Sequence, residues 1–532
     1  MTSFLGKNWV VHNRELKQVE NLKDFHDPFL FEDMARAVER IKQAISNKER
    51  IMIFGDYDVD GISSTVIMLR TLRSLNAKVS CRLPNRVTDG YGLSMKYIDE
   101  FIEKDIKLII TVDNGISCTE QVKKAKEAGI DTIITDHHQI PEVAPDPHSI
   151  IHTQKGDYPF KELAGAGVAL KLAQALIPNS PLLTELTNLA ALGTVADLVP
   201  LLDENRLIVR HGIANMQDSK LAGIQELLKL SNITPETEMD AQSIGFRIAP
   251  RINASGRIGD PHTALRLLLH EDQNPEVLKL SAQLENLNNQ RRTMTEEAFL
   301  EVEKTLNKDN LPSIIIAHHK DWHVGILGLL AGKIVEKYGR PAVIMQKMDG
   351  KFVGSARSNE LFNITEALTH TQKHLINFGG HFQAAGFNLE AENFEEFKKD
   401  LTAYSEEALR DADLKPILNI DNELFEDDLS FEFIEGLEGL KPFGVGNEKP
   451  VFILRDIEPQ SISQVGKERT HLSFSIHLKE GTLRTIGFNI GDHAEELKKH
   501  QKIDIACYLE KNIWNGKESL QLQILDLRAK KP

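Results

Sequence analysis

Three short apolar runs in the first 140 residues each stop at an acidic motif. IMIF leads into GDYDVDG (51–61), LIITV into DNG (108–115), and IDTIITD into a pair of histidines (130–138). AKVSCRLP (77–84) and HSIIHT (148–153) read as further strands, and GISSTVIMLRTLRSL (61–75) and CTEQVKKAKEAG (118–129) as intervening helices. Short apolar strands alternating with helices fit a parallel sheet covered on both faces, an α/β fold. In such a sheet, ligands bind outside the carboxyl ends of the strands. The acidic motifs fall at those ends, so one crevice can collect them.

Asp56, Asp58 and Asp60 occupy alternate positions, and in extended backbone alternate side chains point the same way. Converging carboxylates repel unless a cation lies between them. Asp113 follows the second run, Asp136, His137 and His138 end the third, and Asp197 sits in GTVADLVPL. Carboxylates with one or two imidazoles suit Mn²⁺ or Mg²⁺. Two such ions, about 3.5–4 Å apart and sharing a carboxylate, can activate water for attack on phosphorus. Taken singly, each motif has a plainer reading. An aspartate after a strand is commonly a helix N-cap, and a lone DHH is commonly a loop or surface pair. Their joint occurrence favours a site.

The remainder suggests further domains, consistent with 532 residues. Residues 1–45 read as an N-terminal extension and 46–271 as the first α/β domain. Residues 272–308 contain a long helix-forming stretch without proline or glycine from Val277 to Leu306. Residues 309–410 form a second α/β unit, and 418–532 hold strand-like segments suggesting a small β-barrel, with an OB-fold as first expectation. Cys81, Cys118 and Cys507 are widely spaced and form no CxxC, which argues against a disulfide framework or a cysteine zinc site. The net charge of −15 argues against non-specific coating of nucleic acid or anionic membrane, while leaving room for a local basic groove. No apolar run approaches the roughly 20 residues of a membrane span, and the N-terminus lacks a signal-peptide core. The expected location is the cytoplasm.

DYDVDG, VDNG, DHH and ADLVP together resemble the motifs of the DHH phosphoesterase superfamily. DWHVGILGLLAGKI (321–334), GSARS (354–358) and GGHFQAAG (379–386) resemble its accessory DHHA1 domain. KPFGVGNEKPVF (441–452) is similar to the segment leading into the OB domain of the RecJ family of single-strand-specific exonucleases. The resemblance implies 5′→3′ hydrolysis of single-stranded DNA to 5′-mononucleotides in recombination and repair, with two Mn²⁺ or Mg²⁺ ions. It also implies action behind a helicase and alongside single-strand-binding protein. Asp58, Asp60, Asp113, His137 and Asp197 become metal ligands, Asp113 the bridge, and Asp56 a ligand or a neighbour of one. Phe54 stands where many relatives carry histidine, so the shell of the first ion differs from theirs. His138 becomes the group that contacts the scissile phosphate or acts as an acid, and Asp136 the group that orients the histidines. Two rival readings are a DHH phosphodiesterase acting on short oligonucleotides or cyclic dinucleotides, and a non-catalytic scaffold that binds single-stranded DNA.

Arginine grips phosphate through a planar fork, and serine adds a neutral donor. Arg82 and Arg86 flank a turn, Arg251 and Arg257 lie in RINASGRIGDP, read as a loop, and Ser355 and Arg357 lie in GSARS. With the resemblance, Arg86, Arg257, Ser355 and Arg357 are candidates for the 5′-terminal phosphate, and Gly380 and His381 for backbone contacts. His323 is open between core and cleft. AGAGVA (164–169) reads as a tight helix start. Trp514 is expected to stack a base, whereas Phe474 and Phe488 read as barrel core. Every candidate metal ligand precedes residue 200, so the C-terminal barrel is expected to serve strand binding more than turnover.

Overall fold

A computed structural model of the chain describes residues 2–13, 22, 24–86, 89, 90, 92–307, 310–479, 481–514 and 517–529. Among the described residues, β1 (Arg50–Phe54) leads into α1 (Val59–Ser74), followed by β2 (Lys78–Arg82), β3 (Leu108–Val112), β4 (Asp131–Asp136) and β5 (Ser149–His152). All pairings are parallel and the order is β2-β1-β3-β4-β5. Successive strand residues serve opposite faces. Ile51, Ile53, Leu108 and Ile110 pack with α1, α2 (Gly165–Leu176) and α3 (Leu182–Ala196). Met52, Phe54 and Ile109 pack with the helices Met95–Glu103 and Thr119–Glu127. Phe54 is wholly buried against Tyr97 and Phe101. The chain reverses direction across the sheet between β1 and β3, and such a switch point leaves a crevice at the strand ends.

The stretch RINASGR is not a loop. It lies in α4 (Ala249–Ile258), which follows a π-helical turn, Ser243–Ile248. Its glycine serves close packing rather than a bend, because a methyl on Gly256 would overlap the Tyr57 carbonyl. α5 (Pro275–Thr305) is capped by Asn274, whose side chain accepts from Glu276 and Val277 N–H. Over 31 residues it spans about 46 Å. It buries Val277, Leu280 and Leu284 in the first core and Ala298, Phe299 and Val302 in the second.

The second domain has a mixed five-stranded sheet. GGHFQAAG forms a β-hairpin, with Leu375–His381 antiparallel to Ala384–Glu390. The C-terminal sheet joins Phe452–Ile457, Gln460–Val465, His471–Leu478, Gly481–Ile486, Ile503–Trp514 and Lys517–Ala529. The N-terminus belongs to this end of the molecule. Thr2–Ser3 pairs with Lys517–Ala529, Asn8–Val11 runs parallel to Ile417–Ile420, and the Trp9 indole donates to Asp526 (2.7 Å). Among the described residues, no helix is long and apolar enough to cross a membrane.

Candidate metal centre

The loop after β1 brings Asp56 and Asp58 to the switch point, and α1 carries Asp60 in its first turn. Asp58 is also the N-cap of α1, accepting from Gly61 N–H (3.1 Å). β3 delivers Asp113 in a left-handed conformation (φ +58°). Asn114 behind it ties the two strand ends by donating to the Phe54 and Val112 carbonyls (3.3 and 2.9 Å). β4 ends at Asp136, His137 and His138, and Asp197 caps the C-terminus of α3.

Among the described residues, three overlapping groups here offer ligand atoms within 4.8 Å of one another: Asp56, Asp58 and Asp113; Asp60, His137 and Asp197; and Asp113, His137 and His138. His137 Nε2 lies 3.1 Å from Asp113, 3.7 Å from Asp197 and 3.8 Å from Asp60. A fourth group, His26, Asp203 and Glu204, already holds a cation of its own, the Lys171 ammonium 2.8 Å from Glu204.

Burial pushes the carboxyls of Asp56 and Asp113 well above their ordinary range, reinforced by neighbouring aspartates. Asp197 shifts the same way through burial and then Asp60. Asp60 is pushed up to about 7 by burial and then Asp58, despite accepting from Gly165 and Ala166 N–H (2.7 and 2.8 Å) at the start of α2. Burial, followed by the charge of His138, pulls His137 down to about 4. Among the described residues, Asp56 Oδ1, Asp113 Oδ1 and His137 Nε2 are buried without hydrogen-bond partners. Orphaned acceptors around a charge the fold cannot relieve are what a hard divalent cation satisfies. The residues therefore fit the metal that the sequence implies.

Asp136 is different, because its own protein partners satisfy it. It accepts from Ile116 N–H (2.9 Å), His137 N–H (2.8 Å) and His138 Nδ1 (2.7 Å). Burial raises its pKa, but these bonds and the His138 charge win and hold it at about 2. In turn Asp136 outweighs the burial of His138 and lifts it to about 9. His152, at the end of β5, supports the pair by bonding the His138 carbonyl (2.7 Å).

Two glycines shape the cradle, Gly165 in the AGAGVA helix start and Gly193, which the sequence does not mark. A methyl on Gly165 would lie 2.6 Å from Asp113 Cβ and Oδ1, and one on Gly193 would overlap the Asp60 carboxylate. AGAG is thus a helix start whose small residues admit two carboxylates.

The domain profiles match three parts of the chain: the DHH family N-terminal domain at 50–194, the DHHA1 domain at 311–407 and the RecJ OB domain at 420–526. Curated single-stranded-DNA-specific exonucleases named RecJ align along most of it. The Bacillus subtilis protein is 39% identical over 94% of this chain, although the chain spans only 64% of that protein's length. The Dickeya dadantii protein is 33% identical over 96% of this chain and 93% of its own. The chain belongs to the RecJ family. The crystal structure of Thermus thermophilus RecJ in complex with Mn²⁺ superposes with a TM-score of 0.82 at 31% identity, covering 95% of this chain and 74% of that one. A Mg²⁺ complex from the same organism gives 0.76 at 30% identity, covering 94% and 71%. Both of those structures are described with a divalent ion, and the carboxylate cluster here has a donor set that could hold one.

Beside this RecJ-type centre lies a group of arginines. The Arg86 guanidinium covers the Tyr57 ring at 4.2 Å, and among the described residues its Nε is buried without a hydrogen-bond partner. Burial, followed by Arg86, pulls Arg257 down to about 10 and Arg357 down as well. Ser355 Oγ accepts from Arg357 (3.2 Å), and both lie against Gly328 of the helix Val324–Tyr338. His323 proves to be the N-cap of that helix, accepting from Gly325 N–H (3.0 Å). Arg257 and Arg357 share the neighbouring Arg86 charge, and such a like-charged group leaves a place for an anion. Arg82 and Arg251 do not join them, being committed to Glu100 and Glu285.

A cavity of about 1050 Å³ adjoins Asp197, lined by Leu198, Phe246, Asn253, Arg257, Arg291 and Lys449 among others. Phe246, on the π-helical turn, is 81% exposed, which a lone aromatic in SIGFRI did not signal. Gly380 and His381 sit on the hairpin edge, exposed. The Trp514 side chain lies outside the described residues. Phe474 is core, but Phe488 is 51% exposed and packs edge-on against His471, so it is not part of the barrel interior.

Proposed function

We propose that this chain hydrolyses single-stranded DNA from the 5′ end and releases 5′-mononucleotides, with two Mn²⁺ or Mg²⁺ ions. The observation that carries the reading is Asp113, whose carboxylate shares one ligand group with Asp56 and Asp58 and lies 3.1 Å from His137 Nε2, a member of the group with Asp60 and Asp197. This supports a role in which Asp113 would serve both ions. Asp60 and Asp197 complete the set. Bound ions of this kind lower the pKa of attacking water and offset charge developing on phosphorus.

The chain's own groups do the rest. Asp136 fixes the tautomer and orientation of His138 through Nδ1, which leaves the Nε2 proton for the scissile phosphate or the departing 3′-oxygen. Arg86, Arg257, Ser355 and Arg357 hold the terminal 5′-phosphate, so that the next phosphodiester would lie at the carboxylate cluster. Each cut exposes a new 5′-phosphate and resets the end. Phe246 offers a face on which a base stacks, and Arg291 follows the backbone beside it. Gly380, His381 and Trp514 complete the strand contacts. The protein acts in the cytoplasm, behind a helicase and with single-strand-binding protein. The test uses strands labelled at either end, with EDTA and with Mn²⁺ restored. The 5′ label should leave as mononucleotide in the first turnover, only with metal. Loss from the 3′ end, or activity in EDTA, would overturn the proposal.

A further inference from the structure

The segment that carries Asp197 is held from the far side of the chain. After α3 the backbone turns at Leu198 (φ +62°) and runs through Val199 and Pro200 to Leu202. Asn205 ties the turn from within the first domain, donating to the carbonyls of Pro200 (3.0 Å) and Glu162 (2.6 Å). The outer side meets the loop KPFGVGN (441–447). Leu201 N–H donates to the Val445 carbonyl (2.7 Å). Arg206, 2% exposed, donates to the carbonyls of Lys441 (2.6 Å), Pro442 (3.2 Å) and Gly439 (3.5 Å). The loop is rigid in itself: Gly444 and Asn447 exchange backbone bonds, and Asn447 Nδ2 donates to Leu440 and Pro442 (2.8 and 2.9 Å). The fit is close, since a methyl on Gly444 would lie 2.5 Å from Leu201 Cδ1, and one on Gly446 3.1 Å from Pro200 Cβ.

We infer that the 439–447 loop and Arg206 are a brace that positions Asp197 in the metal centre, so the C-terminal domain is part of the catalytic apparatus as well as a strand-binding module. Asp197 is the most solvent-exposed member of its ligand group, at 27% against 2% for Asp60 and 13% for His137. It also sits at a helix end rather than after a central strand. Its carboxylate therefore needs support that the sheet does not supply. The inference rests on Asp197 being a metal ligand, as proposed above. Arg206 touches neither metal ligand nor substrate and acts as a positioning residue.

The test compares full-length wild type, Arg206→Gln, Gly444→Ala and Asp197→Ala by Mn²⁺ titration, following the free ion by electron paramagnetic resonance. Gly444→Ala loads the same contact without removing a buried charge, so the inference remains testable if Arg206→Gln fails to fold. Both brace variants should bind Mn²⁺ roughly tenfold more weakly, as loss of groups supporting a ligand does. Added Mn²⁺ should restore their hydrolysis rate, while KM for the strand stays within about twofold. Asp197→Ala should not be restored. Wild-type Mn²⁺ binding in folded brace variants, with Asp197→Ala impaired, overturns the brace and leaves the metal reading standing. Unchanged binding in all three overturns the role of Asp197 and the brace together.

Discussion

Gly165→Ala puts a methyl 2.6 Å from Asp113 Cβ and Oδ1, where ordinary contact begins at 3.4 Å, so the two must separate by about 0.8 Å. Neither side yields readily. Asp113 is already held at φ +58° by its turn, and Gly165 N–H is bonded to Asp60 (2.7 Å). Retreat of Gly165 breaks that bond, whereas retreat of Asp113 moves the proposed bridge. Helix propensity alone makes alanine better than glycine by up to about 1 kcal/mol, and overpacking costs about 1–3 kcal/mol. The two nearly cancel at the low end, and the variant should be less stable by up to about 2 kcal/mol. The larger effect falls on catalysis, because misplacement of a catalytic group by about 1 Å costs on the order of 100-fold. The assay is turnover of a 5′-phosphorylated oligothymidylate at saturating Mn²⁺, beside thermal unfolding without metal. A variant with wild-type turnover and a raised unfolding temperature would refute the cradle.

Arg357→Ala should weaken binding of 5′-phosphorylated strands more than 5′-hydroxyl strands, because only the former present the charged group. Equal loss in a paired affinity measurement removes its terminal-phosphate role. Phe246→Ala should lower affinity for a long strand roughly fivefold or more, since stacking contributes about 1–3 kcal/mol per base. It should leave a dinucleotide unaffected, and equal effects on both would exclude stacking along the strand. Asp89, its side chain 7% exposed, accepts from the Tyr97 hydroxyl (2.7 Å), Asn85 N–H (2.9 Å) and Lys96 (3.1 Å). Burial raises its pKa, but these bonds prevail and hold it at about 2. Its folded pKa lies below the unfolded value, so it contributes about 2 kcal/mol above pH 4, lost as pH falls toward 2. The gap in urea midpoint between wild type and Asp89→Asn should narrow from about pH 5 to about pH 3. A constant gap contradicts the assignment.

The sequence made the first domain legible because both strand signal and site signal are local. A continuous apolar run marks a strand buried on both faces, and the acidic motif beside it needs no tertiary information. Asp56, Asp58, Asp60, Asp113, His137 and His138 could be found that way, and they do converge. What stayed hidden depends on distant packing. RINASGR carries the glycine, asparagine and serine of a loop, yet it is helical because Gly256 must lie against the Tyr57 backbone. Gly165 and Gly193 look like ordinary small helix residues until the carboxylates they face are known. The first strands look like an extension because their partners lie more than 400 residues away. Phe488 reads as barrel core, yet it lies in the turn after the strand Gly481–Ile486, where the sheet does not cover it.

The central claim is that the cluster around Asp113 holds the ions that cut a single strand from its 5′ end. The most direct measurement follows a 5′-labelled single strand with Mn²⁺, comparing wild type with folded Asp113→Ala. Wild type should release labelled 5′-mononucleotide from the first turnover, and Asp113→Ala should release none above the rate without metal. Near-normal release by Asp113→Ala would contradict the account, and so would shortening of the strand by wild type with the 5′ label retained.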